Sequence, residues 1–152
     1  MKQAFTMQLM KGAMIGYIPI DDYTSTIERK SKTWTQVYSF EKPVLGQIGF
    51  NFSKSDNRLL GIEIYYARFC LSNEYVEFAE YFRDKETAEI QFDTSPGLTL
   101  FYFDCDSEGT RTKQIIYVAP PAVGTAVIAF REEKLCCIEL IGFDCALEKL
   151  AL

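Results

Sequence analysis

The sequence predicts an α+β fold: two similar antiparallel β units, each of about four to five strands plus one helix, packed pseudo-symmetrically around one core. Three observations predict it. Residues 46–64, GQIGFNFSKSDNRLLGIEI, are nearly rewritten at 124–140 as GTAVIAFREEKLCCIEL. In the first stretch Ile48, Phe50 and Phe52 alternate with polar or small residues, and in both stretches a glutamate, Glu63 or Glu139, sits opposite to its apolar neighbours, at the period of a half-buried strand. Residues 72–86, SNEYVEFAEYFRDKE, instead place Tyr75, Phe78, Ala79 and Phe82 at helical spacing, which makes one apolar stripe.

Along the chain, residues 13–20 form an apolar run rich in aromatic and branched side chains, as in a covered strand. Residues 35–41 form a second strand, and Pro43 and Gly46 punctuate the turn that follows. Ile48, Phe50 and Phe52 then alternate with Gln47, Gly49 and Asn51; SKSDN is a hairpin turn; Leu60, Ile62 and Ile64 point one way and Glu63 the other. The helix over 72–86 comes next, with Ser72 or Asn73 as its cap. The second unit repeats the order: strands over 98–105 and 113–119, Pro121 and Gly124 in the turn, the strand pair over 124–140, and a shorter helix CALEKLAL over 145–152. At a separation of 78, Gln36 matches Gln114, Pro43 matches Pro121, Gly46 matches Gly124 and Phe52 matches Phe130. The second hairpin turn is two residues shorter, and beyond it, at a separation of 76, Arg58 matches Lys134, Ile62 matches Ile138 and Glu63 matches Glu139. A length change at a turn is where insertions are tolerated best. A weaker upstream match sets Gly12 near Gly97 and Tyr17 near Tyr102. The chain is read as one domain, 1–152, with unit one at 5–86 and unit two at 88–152.

The stretch DNRLLGIEIYYA, residues 56–67, resembles the ending of the YuzE-like proteins, a small bacterial domain family of unknown function. Arg58, Gly61, Ile62, Glu63, Ile64 and Ala67 fit the family's strand, "R-x-x-G-I-E-I", and the corner after it. The second copy keeps Lys134, Ile138 and Glu139 but has Cys137 in place of the glycine, and the family's opening acidic strand motif is missing from MKGAMIGYI. The resemblance implies a tandem duplication of a YuzE-like unit. It supplies no activity to carry over.

Composition narrows the function classes. At 48% hydrophobic, 14% aromatic and 24% charged, the 152 residues describe a globular chain. The longest apolar runs, 98–103 and 126–130, are too short to span a bilayer, and no signal-peptide pattern opens the chain, so a cytoplasmic address without membrane contact is expected. Five cysteines, Cys70, Cys105, Cys136, Cys137 and Cys145, show no CxxC spacing and read as reduced, small apolar residues. A net charge of −5 argues against nucleic-acid binding, which needs a basic footprint. There is no histidine, no phosphate-binding glycine loop and no recognisable nucleophile–base spacing, so no enzyme, cofactor or metal is expected. The basic loops 28–33 and 108–113 read as solvated.

The charge is not spread evenly. Residues 72–93 hold seven acids against Arg83 and Lys85, a local net of −5, and the rest of the chain balances at 14 acidic and 14 basic residues. An acidic face of this kind steers and docks a basic partner. The expected function is a non-enzymatic binding protein that neutralises a basic protein, such as an immunity protein or antitoxin against a bacterial toxin. Its partner-binding residues would be Glu74, Tyr75, Glu77, Glu80, Tyr81 and Asp84, the tyrosines serving as anchors with a polar tip. The alternative is a small-molecule or metal-responsive domain using the cleft between the units, with Glu63 and Glu139 converging on the ligand. Self-association into a homodimer is a third option.

Overall fold

The computed structural model describes residues 2–10, 14–21, 33–41, 46–71, 86–103, 111–118 and 123–145. It corrects the fold class. The described residues are almost entirely β, with ten antiparallel strands among them in one nearly closed, barrel-like sheet. The strands are β1 (Gln3–Met10), β2 (Ile15–Pro19), β3 (Thr33–Ser39), β4 (Gln47–Ser53), β5 (Leu59–Tyr65), β6 (Glu86–Ser95), β7 (Leu98–Tyr102), β8 (Thr112–Val118), β9 (Gly124–Arg131) and β10 (Lys134–Ile141). Among the described residues the only helix is the four-residue α1 (Ala67–Cys70). Most of the expected helix over 72–86 lies outside the described residues, and Glu86 opens β6. Cys145, expected to begin a second helix, instead makes an isolated parallel bridge with Leu59; residues 146–152 are outside the description.

The sheet order is β3-β4-β5-β2-β1-β6-β7-β10-β9-β8. Read outward from the centre, each five-strand half therefore has the same order. The ladders agree in detail. Gln36 pairs with Phe50 and Gln114 with Ile128; Phe50 pairs with Ile62 and Ile128 with Ile138. Both β4–β5 and β9–β10 carry a bulge, and the inserted residues are Leu60 and Cys136, which lie 76 apart. The register also adjusts the upstream alignment. Tyr17 and Leu100 hold equivalent places, each opposite a glutamate, Glu63 or Glu139. Tyr102 lies two residues beyond, because the β6–β7 turn is shorter than the β1–β2 turn.

The halves meet along β1 and β6, where Phe5 pairs with Ile90. Phe5, Met7 and Leu9 turn inward from β1, and Ala88, Ile90 and Phe92 from β6. One apolar cluster fills the interior from both halves, including Ile18, Ile48, Phe50, Ile62, Phe101, Ile128, Ile138 and Leu140. Phe143, after β10, stacks on Phe50 at 5.7 Å and Phe52 at 6.3 Å, and Phe40 meets Phe130 edge-on at 5.0 Å. Truncating a buried phenylalanine of this kind costs about 3–5 kcal/mol. The close approach needs glycine at the two equivalent strand entries. A methyl group on Gly46 would sit 2.4 Å from the Phe40 ring and 2.6 Å from Cys70 Sγ; on Gly124 it would sit 2.7 Å from the Phe143 ring.

Three polar contacts fasten the turns and strand ends. Arg58 in the β4–β5 turn donates to Asp21 beyond β2 (2.8 Å) and to Asp56 (2.7 Å). The bond from Arg58 holds the Asp56 carboxyl below its ordinary range, and the two carboxylates push the guanidinium upward. Lys134 Nζ reaches across the halves to the Phe69 carbonyl oxygen at 3.2 Å.

Candidate functional site

Because successive side chains of a strand face opposite ways, burying Ile62 and Ile64 puts Glu63 on the outer face of β5, and burying Ile138 and Leu140 does the same for Glu139 on β10. The two carboxylates belong to different halves, with β2, β1, β6 and β7 between their strands in the sheet. The arrangement does not bring them together across the interior, which is filled by the core.

Glu63 is nevertheless held in a defined setting. Asn51 Nδ2 donates to its Oε1 at 3.0 Å, the Tyr65 hydroxyl donates to its Oε2, and Thr35 Oγ1 donates to Asn51 Oδ1. The Asn51 side chain is 3% exposed, so these bonds satisfy a polar group that burial would otherwise penalise. Two glycines make room for the flanking rings. A methyl group on Gly61 would sit 2.4 Å from the Tyr17 hydroxyl oxygen, and one on Gly49 would sit 3.0 Å from the Tyr65 ring. The second half keeps Glu139, but the ladder places Ala129, Ile141, Val127 and Cys137 where the first has Asn51, Tyr65, Gly49 and Gly61. The same backbone thus carries a polar patch in one half and an apolar one in the other. Ala129, Cys136 and Cys137 pack there with Leu100 and Tyr102, and Lys2 Nζ lies 4.2 Å above the Tyr102 ring.

The candidate partner-binding residues Glu74, Tyr75, Glu77, Glu80, Tyr81 and Asp84 lie outside the described residues. The end of their acidic segment is described. Glu89 and Asp93 share the outer face of β6, with Glu89 exposed, since Ile90 and Phe92 turn inward. Sequence reasoning missed β6 and β1, the two central strands. The signal was available: QAFTMQLM and AEIQFD alternate at period two.

A second feature, also missed, is the seam where the barrel nearly closes. Among the described residues β3 and β8 end the sheet, and the Gln114 carboxamide bridges them. Gln114 Nε2 donates to the Ser39 carbonyl at 3.1 Å, while Gln114 Oε1 accepts the Glu41 N–H at 2.9 Å. A cleft of about 280 Å³ opens beside this bridge, lined by Glu41, Thr112, Lys113, Gln114 and Phe130. Its rim offers one acid and one base, both exposed, over an aromatic floor.

Among the described residues, no group of three or more cysteine, aspartate or glutamate side chains is placed to hold a metal ion, and no helix is long and apolar enough to cross a membrane. No protein-family model, curated protein or solved structure matches this chain.

Proposed function

We propose that this chain is a cytoplasmic, non-enzymatic binding protein whose acidic segment docks a basic protein partner, in the manner of an immunity protein or antitoxin facing a bacterial toxin. The observation that carries this reading is the concentration of the whole net charge, −5, in residues 72–93. The fold is consistent with it. An interior filled by one apolar cluster leaves recognition to the outer surface, and the described end of the acidic segment, Glu89 and Asp93, lies on the outer face of a central strand. We also propose that the two halves descend from one duplicated unit; equal strand order, equal registers and equivalent bulges support this.

The test is kinetic. The purified chain is titrated with the basic proteins encoded beside its gene, and the association rate is followed at low and at physiological salt. Glu77→Lys/Glu80→Lys is expected to slow association about tenfold at low ionic strength, with an unchanged melting temperature. An association rate indifferent to the double reversal sinks the reading.

A further inference from the structure

We propose that the seam between β3 and β8 accepts an extended peptide strand from a partner, with Gln114 as a displaceable latch. The strand order leaves β3 and β8 each with one strand neighbour among the described residues. A terminal strand presents backbone donors and acceptors that template pairing with another chain. Here the Ser39 carbonyl and the Glu41 N–H are turned toward the seam, while the Phe40 N–H between them points back to the Gly46 carbonyl at 2.9 Å. The group that satisfies Ser39 and Glu41 is a primary carboxamide, which has the donor and acceptor of a peptide unit. The side chain already seated there therefore names the chemistry of its replacement.

The cleft narrows the sequence of the incoming strand. Side chains of an extended peptide alternate between faces. The residue facing the interior meets Phe130, which asks for an apolar side chain, and its two neighbours face the rim. There Glu41 complements a basic residue and Lys113 an acidic one. The preferred core is Lys–apolar–Glu. A second copy of this chain is a poorer occupant: the outward residues of β8 are Lys113, Ile115 and Tyr117, and those of β3 are Thr33, Thr35, Val37 and Ser39, so neither brings an acid to Lys113. This inference is independent of the acidic segment, and Glu77→Lys/Glu80→Lys should leave it untouched.

The probe is acetyl-Thr-Thr-Lys-Val-Glu-Thr-Thr-amide, titrated into the full chain and followed by backbone amide shifts and calorimetry. Saturable binding is expected, with shifts at Ser39, Glu41 and Lys113. The same peptide N-methylated at valine should not bind, since it loses a ladder donor. Gln114→Ala should bind the probe about tenfold more tightly, because the peptide no longer displaces the two exposed hydrogen bonds of the carboxamide. Both rim residues are exposed, so Glu41→Lys/Lys113→Glu should fold normally and prefer the Glu-Val-Lys isomer. Equal binding of the N-methylated peptide, an unchanged preference in the swapped variant, or shifts remote from the seam would overturn the proposal. So would a dimer in sedimentation that the probe dissociates, which would assign the seam to a second copy.

Discussion

Cys70 shows how a single side chain couples this fold to pH. It sits fully buried behind Gly46, and burial pushes its thiol from the ordinary 9.0 up to about 11, with Lys134 opposing weakly. In the unfolded chain the thiol ionises near its ordinary value; in the folded chain it stays neutral. Its contribution is therefore complete below about pH 9 and is lost as pH rises through about 11. Urea unfolding at pH 8 and pH 10.5 should show the wild type losing stability across this window, and Cys70→Ala, though less stable at pH 8, losing less of it. Equal alkaline slopes would disprove the account. At this scale the sequence was partly legible: Cys70 as a buried, reduced apolar residue follows from its type. The support under Glu63 was not, because Asn51, Tyr65 and Thr35 come from three strands and only the register brings them together.

At the scale of elements, the β9–β10 hairpin carries a strained connection. Glu132 and Glu133 both adopt positive φ, 50° and 63°, in a two-residue turn between Arg131 and Lys134. That geometry suits Asn-Gly, whereas two adjacent glutamates add backbone strain to like-charge repulsion. Glu132→Asn/Glu133→Gly is expected to stabilise the chain by about 1–2 kcal/mol, read as a higher melting temperature; a lower one would refute the turn assignment. The strands themselves were readable wherever apolar residues alternate, and eight of the ten follow from that pattern and the repeat. The expected order omits β1 and β6 because its first helix runs to residue 86 and each unit opens on the apolar run that became β2 or β7, although the alternation of the strand before it falls within or beside the matched upstream stretch. Barrel closure was not legible either. Nothing local in β3 or β8 says that each end strand faces the other, which depends on the curl accumulated over the whole sheet.

Among the described residues one large apolar cluster spans both halves, so the chain should unfold in one step, with calorimetric and van't Hoff enthalpies in agreement. Phe143→Ala, a change in the second half, should lower stability by about 3–5 kcal/mol. It should shift the fluorescence transition of Trp34, in the first half, by the same amount as the loss of strand signal; an unmoved Trp34 transition would mean that the halves melt separately. The central β1–β6 pairing has a further consequence. Since Phe5 faces Ile90 across equivalent positions, nothing in that ladder distinguishes its own chain from a neighbour's. Refolding at high concentration should let one molecule lend its first half to another, giving interlocked pairs that keep every native strand partner and separate only on unfolding.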